Sequence, residues 1–267
     1  MRHSLALFLL LTLVACSTSG TKPEVNAPTN KAATEVKASA EDMYKAAQKA
    51  LDDDGYEEAI KLFESLQSHY PYGRYAQQAQ LEIAYAYYKK NEVEAAISAA
   101  ERFIKQYPNN AHVDYAFYLK GLARFNGDDD MFKSISGQDP TERDPKAAQD
   151  SFVAFKDLVA RFPNSRYAAD AILRMQYLVN ALAQYEIHVA RYYLRRGAHI
   201  AAINRAKEVL TLYPNTPSSQ DALLIMMKSY DALGLDKLRD DTQRILDKNF
   251  PQVLIEPKTI LPWTYYP

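Results

Sequence analysis

The chain has 267 residues, 48% hydrophobic and 24% charged, and its 32 Lys+Arg against 33 Asp+Glu leave a formal net charge of −1. This is a globular composition, enough for one large domain or two small ones, and a pI near 6.5 excludes a global basic field for nucleic acid, leaving only a local patch to bind it. Eight Gly leave little material for hairpin turns or phosphate-cradling loops and favour an all-helical chain, while a single Cys excludes an intramolecular disulfide and any multi-cysteine zinc site.

Arg2 and His3 precede an unbroken apolar-to-small run over residues 5–15, the length of a signal-peptide core and too short to span a bilayer. The run ends Leu13-Val14-Ala15-Cys16, which puts the lone cysteine directly after a small residue at the expected cut. This resembles the lipobox of bacterial lipoproteins, whose cysteine takes a thioether-linked diacylglycerol and, after cleavage, an N-acyl chain. Residues 1–16 are therefore expected to form a lipoprotein signal peptide ending at the acylated Cys16, with no other cofactor. Three acyl chains exceed the roughly two membrane signals that stable anchoring needs. By resemblance to the enterobacterial sorting rule, Ser17 after the cysteine favours the outer membrane, with the mature protein facing the periplasm.

From residue 17 to about 38 the composition turns to Ser, Thr, Pro, Asn, Lys and Ala, with only Val25 and Val36 as larger apolar residues. Such a stretch cannot bury enough surface to fold, and as a coil of this length it reaches roughly 25 Å in root-mean-square terms. It is expected to tether the domain to the membrane.

Beyond residue 39, aromatic-proline pairs recur at Tyr70-Pro71, Tyr107-Pro108, Phe162-Pro163, Tyr213-Pro214 and Phe250-Pro251. Gly55, Asn91, Gly197 and Gly234 each stand 16 or 17 residues before a proline of that series. Each unit therefore reads as helix, left-handed capped turn, helix, proline stop. A helix pair of about 34 residues plus a short linker is the tetratricopeptide (TPR) period. Small residues that let two helices approach closely fall in register: Ala47, Ala84, Gly121 and Ala190 in first helices, Ala59, Ala96 and Ala202 in second helices, with Met227 breaking the series in the last unit. The expected fold is all-α, an α-solenoid of about five TPR units and ten antiparallel helices.

The pairs are spaced 37, 55, 51 and 37 residues apart, and the two long intervals locate departures from the repeat. The first holds an acidic insertion, where Asp128, Asp129, Asp130, Asp139, Glu142 and Asp144 face only Lys133 and Arg143. The second contains a stretch without Gly or Pro between residues 166 and 196, which predicts a lengthened first helix in unit four, straight or bent. The expected organisation is a signal peptide (1–16), a tether (17–38), N-terminal units to the first helix of unit three (39–125), an acidic insertion (126–145), C-terminal units (146–251) and a tail (252–267).

Catalytic signatures are sparse. The histidines after the signal peptide, His69, His112, His188 and His199, lack the i,i+4 spacing of a metalloprotease helix, and no phosphate loop or nucleophile elbow is present. The aspartate triplets at 52–54 and 128–130 lack the spaced ligands of an EF-hand and read as solvated surface, so no metal is expected. Two concentrations point to binding. Tyr70, Tyr72 and Tyr75 surround a Pro71-Tyr72-Gly73 turn too short to bury all three rings, so they serve either packing or an extended peptide ligand with aromatic residues. Residues 185–210 carry Arg191, Arg195, Arg196, Arg205 and Lys207 against Glu186 and Glu208. This +3 stretch suits anionic lipid, RNA or an acidic protein surface, or is an ordinary solvated face; a periplasmic location disfavours RNA.

The most particular stretches are 70–81 (YPYGRYAQQAQL), 84–89 (AYAYYK), 113–122 (VDYAFYLKGL), Arg143-Asp144-Pro145, 162–167 (FPNSRY), Tyr185-Glu186, 189–193 (VARYY) and Arg196-Gly197-Ala198. Together they resemble the BamD (ComL) family of TPR lipoproteins of the outer-membrane β-barrel assembly machinery, over nearly all of the mature chain to about Pro251. The resemblance implies that C-terminal units hold a POTRA domain of the barrel protein BamA, with Arg205 pairing a POTRA carboxylate amid Arg195, Arg196 and Glu186. It implies that N-terminal units, around Tyr70, Tyr72 and Tyr75, receive the aromatic-ended targeting segment of unfolded outer-membrane proteins, and that further lipoprotein subunits of the machinery are partners. The tail beyond Pro251 goes past the pattern. Two other readings stay open: a TPR lipoprotein organising peptidoglycan or the Tol-Pal envelope system, disfavoured because residues 17–38 lack heptads, and an enzyme with a site in the acidic insertion.

Overall fold

The computed structural model describes residues 38–125 and 145–251. The expected signal peptide with Cys16, residues 17–37 of the expected tether, residues 126–144 of the acidic insertion and residues 252–267 lie outside the described residues. Among the described residues there are ten helices and no strand: α1 Ala40–Asp52, α2 Tyr56–His69, α3 Arg74–Lys89, α4 Val93–Gln106, α5 Val113–Arg124, α6 Pro145–Arg161, α7 Ala168–Arg195, α8 His199–Leu212, α9 Ser218–Ala232 and α10 Asp236–Asn249. Each helix packs on the next in chain order, and first helices also meet across units, α1 with α3, α3 with α5 and α7 with α9. The architecture is the expected all-α TPR solenoid of five helix pairs.

The small-residue register explains the close pairing. Ala47, Ala84 and Ala190 in first helices and Ala59, Ala96 and Ala202 in second helices are at most 1% exposed. In unit three the sites are Gly121 and Ser151. A Cβ on Gly121 would stand 2.3 Å from the Phe155 ring, and the Ser151 hydroxyl donates to the Gly121 carbonyl at 2.9 Å, so α5 and α6 nearly touch there. The fifth unit abandons the pattern with half-buried Met227 on α9 and Arg239 on α10.

The turns inside units one, two, four and five share one hydrogen-bond pattern, in which the amides of Gly55, Glu92, Ala198 and Leu235 donate five residues back to the carbonyls of Ala50, Tyr87, Tyr193 and Tyr230. This six-to-one bond needs a left-handed residue just before the donor. Asn91, Gly197 and Gly234 hold it at φ of 58°, 70° and 67°. In the first unit that residue is Asp54, at φ 58°, and not Gly55 as the spacing suggested; Gly55 has φ −79°. Asp tolerates this region because its short side chain can bond locally. Its carboxylate accepts the Tyr56 hydroxyl, while Gly55 sits so near the Ala50 carbonyl that a Cβ would be 3.1 Å from its oxygen. This accounts for Asp54 beside a helix C-terminus, where the macrodipole disfavours negative charge.

At the other boundary, proline excludes the helical conformation from the residue before it. Tyr70, Tyr107, Tyr213 and Phe250 accordingly leave the helix at φ between −130° and −132°. The aromatic ring then folds back on its unit, as Tyr107 does on Phe103 at 5.4 Å. The long first helix of unit four, α7, runs 28 residues without interruption, about 42 Å at 1.5 Å per residue. Its N-terminal half packs on α6 and its C-terminal half on α8.

The stack ends by composition. At the register positions where earlier second helices carry Ile60, Ile97, Phe152 and Ile203, α10 has Asp240; where they carry Phe63, Ala100, Phe155 and Ala206, it has Gln243. Its buried residues are Thr242 and Leu246 alone. A polar outer face of this kind is typical of a terminal, capping repeat.

Candidate functional site

The side chains that distinguish this solenoid from a generic one gather on first helices. Tyr44 of α1 is buried between Phe63 and Tyr75, at ring-centroid distances of 5.6 and 5.4 Å, and its hydroxyl bonds the carboxyl of Glu82 on α3. Glu82 also acts on the half-buried Tyr115, which meets Tyr167 at 5.2 Å, and half-buried Tyr85 and Tyr88 meet each other at 6.4 Å. Tyr118 stacks on Tyr167 at 4.8 Å and donates its hydroxyl to Asp170 of α7, which also accepts from Arg174 at 2.6 Å. The Arg174 guanidinium covers Phe125, whose ring meets Tyr177 edge-on at 5.6 Å. The result is an aromatic strip of neighbouring ring groups from α1 to α7, with Glu82 between Tyr44 and Tyr115.

The strip holds its charges in a low-dielectric setting. Burial pushes the Glu82 carboxyl above the usual carboxylate range, and the nearby Asp52 adds to this, against the pull of the Tyr44 hydroxyl. Burial likewise raises the Tyr44 and Tyr118 hydroxyls to about 12 and Tyr115 higher still. At Asp170 burial works to raise the carboxyl, but hydrogen bonds from Tyr118 and Arg174 outweigh it and hold the group below its ordinary value. Chemically, the strip offers partly exposed rings with hydroxyl edges and two carboxylates, a surface suited to aromatic side chains and backbone amides of an extended chain.

The three tyrosines expected to form the peptide surface separate in the structure. Tyr70 is half-buried and its hydroxyl donates to the Ala38 carbonyl at 2.8 Å, tying down the start of the folded domain. Tyr75 packs on Tyr44 beneath the Arg74 guanidinium, 4.7 Å from its centroid. Only Tyr72 is free, at 92% exposed. The larger strip is not apparent from the turn at Pro71 alone, because its rings lie inside the helices of several units. The available signal was their recurrence within first helices, as in Tyr85 and Tyr88, then Tyr115 and Tyr118.

The basic stretch also divides. Arg205 of α8 reaches Glu186 of α7 at 3.2 Å and Glu208 at 3.4 Å, both through Nη1. Glu186 has a side chain only 14% exposed, and burial raises its pKa against the lowering effect of Arg205. The structure thus brings Arg205 and Glu186 together and leaves Arg195 and Arg196 at the turn, about 14 Å further along α7 from Glu186. Arg195 and Arg196 are exposed, with Arg196 lying over the Tyr192 ring at 5.3 Å, and Arg191 bridges to Asp221 of α9 at 3.0 Å. Part of the +3 balance is therefore consumed in holding α7, α8 and α9 together. Cys16 lies outside the described residues.

Paired helices in small-residue register, aromatic-proline stops and two side-chain-rich surfaces define a tetratricopeptide-repeat solenoid. The family model YfiO, described as outer membrane lipoprotein, matches residues 36–245, and the chain belongs to that family. Its relatives include proteins named outer membrane protein assembly factor BamD. The one from Neisseria meningitidis serogroup A is 44% identical over 248 residues, covering 93% of this chain and 91% of the relative. That of Vibrio cholerae is 38% identical over 207 residues, covering 78% and 86%, and that of Haemophilus influenzae is 32% identical over 246 residues, covering 92% and 90%. Among solved structures, a Podosopora anserina protein of nearly identical TPR-like repeats matches at 15% identity and a TM-score of 0.32, covering 77% of this chain and 94% of the other.

Proposed function

We propose that this protein is a non-enzymatic scaffold of the β-barrel assembly machinery, anchored through acylated Cys16 at the periplasmic face of the outer membrane. Its N-terminal units receive aromatic-ended targeting segments of unfolded barrel proteins, and its C-terminal units hold a POTRA domain of a BamA-like partner. Membership of an outer membrane lipoprotein family, with relatives named assembly factors, supports the setting. The observation that carries the reading is the aromatic strip across α1, α3, α5 and α7, whose rings are fixed in place and need little further ordering to bind an extended chain. Tyr72 gives that surface an exposed ring, and Tyr70 and Tyr75 brace the turn that presents it.

For the second surface, Arg205 offers a partner carboxylate its remaining guanidinium N–H groups, with Glu186 setting its orientation and the exposed Arg195 and Arg196 standing about 14 Å away along α7. Crosslinked pull-down from envelope membranes with Cys16 intact is expected to recover a barrel protein carrying periplasmic modules, together with further lipoproteins of the machinery. Recovery of peptidoglycan-bound or Tol-Pal proteins in its place would support the alternative assignment. Arg205→Glu would gather three carboxylates and could unfold the site, so Arg205→Gln is the informative change. It is expected to weaken capture of the barrel partner about tenfold or more, in line with truncating one side of a charge pair, while far-UV helicity stays unchanged. Undiminished capture would remove Arg205 from the interface.

A further inference from the structure

The terminal unit exposes large aliphatic residues where every other unit is small or polar. Leu233, Leu235, Leu238 and Ile245 are 38%, 40%, 44% and 50% exposed. At the register position of Leu238 the earlier units have Glu58, Ala95, Asp150 and Ala201; at that of Ile245 they have Ser65, Arg102, Asp157 and Glu208. The position of Leu233 is Asp53, Lys90 or Arg196 elsewhere, and that of Leu235 is Gly55, Glu92 or Ala198. Leu235, Leu238 and Ile245 are spaced by three and seven residues, so they fall along one stripe of α10, about 15 Å long. The stripe is separate from the polar Asp240 and Gln243 that close the stack.

The chain itself supplies an occupant. Residues 252–267 begin at the C-terminal end of α10, less than two turns beyond Ile245. They contain Val253, Leu254, Ile255, Ile260, Leu261 and Trp263, with Glu256 and Lys258 as their only charged side chains. This composition is the reverse of the tether at 17–38 and does not favour a solvated coil. Sixteen extended residues reach roughly 53 Å, against about 21 Å for the whole of α10, so the tail is long enough to return along the helix and cover the stripe. Pro257 and Pro262 favour the extended conformation such a path needs and remove two donors that would be left unpaired.

We propose that residues 252–267 fold back along α10 and cover Leu233, Leu235, Leu238 and Ile245, a strap intrinsic to this chain and independent of the assembly role proposed above. Trp263 is the only tryptophan, so it reports directly on the tail. In the full-length protein in detergent, its emission is expected to be blue-shifted and shielded from aqueous quencher. Leu238→Asp with Ile245→Asp should move it to the solvated-indole limit, with quencher protection lost. Leu254→Asp with Ile255→Asp should do the same without altering any residue of the helical stack, which covers the case in which the helix variant fails to fold. Leu173→Asp, at an exposed position on α7, should change nothing. Emission that is identical in the wild type and both double variants would overturn the proposal. A blue shift lost on dilution would do so as well, by assigning the stripe to a second copy.

Discussion

Glu82 shows how the aromatic strip places a demand on folding. Its carboxyl titrates above the ordinary value because burial penalises the charged form, so the folded protein binds its proton more tightly than the unfolded chain does. The sign follows: below the unfolded value of 4.5 the group has no effect, and stability falls as pH rises through the raised folded value. Glu82→Gln keeps an acceptor for the Tyr44 hydroxyl and removes the charge. It is expected to melt higher than the wild type at pH 7, by about 2–4 °C for each kcal/mol recovered, with the difference disappearing near pH 4. Thermal unfolding across that range checks it; an equal difference at both pH values would mean that Glu82 acts through packing.

Helix pairs in this protein meet at small residues, and the third unit carries the tightest case. Gly121→Ala drives a methyl group into the Phe155 ring, an overpacking expected to cost about 1–3 kcal/mol. Calorimetry should show a lower melting temperature, and Phe155→Leu in the same chain should restore part of it by opening space. Additive losses in the double variant would place the strain elsewhere. These elements were legible because their causes are local: proline stops, left-handed turn residues and small sites recur at fixed spacing and need no knowledge of neighbours. The turn at Asp54 was misplaced by one residue because glycine is the usual left-handed residue, whereas here a tyrosine hydroxyl two residues on lets aspartate take that place. Site chemistry was less legible for the opposite reason. Arg205 looked like free positive charge until Glu186, 19 residues earlier on the antiparallel helix, came beside it. Nothing in the sequence around Tyr115 and Tyr118 signals Tyr167 and Asp170, which α7 brings against them from about 50 residues on.

Taken whole, the near-zero net charge conceals a division of labour along the solenoid. Units one to three, with the start of α7, present rings and carboxylates; unit four is laced by ion pairs linking α7, α8 and α9; unit five ends the array with a polar face and a separate apolar stripe. The central claim is that the strip on first helices receives aromatic-ended segments of unfolded barrel proteins. Its most direct test is the affinity of a peptide copying the C-terminal strand of an outer-membrane barrel protein, titrated against the full-length protein in detergent. Tyr85→Ala with Tyr88→Ala is expected to weaken binding about tenfold or more, equivalent to about 1.4 kcal/mol or more, with helicity retained and with Arg196→Ala unchanged as the control. Affinity equal to wild type in the folded double-tyrosine variant would contradict the account.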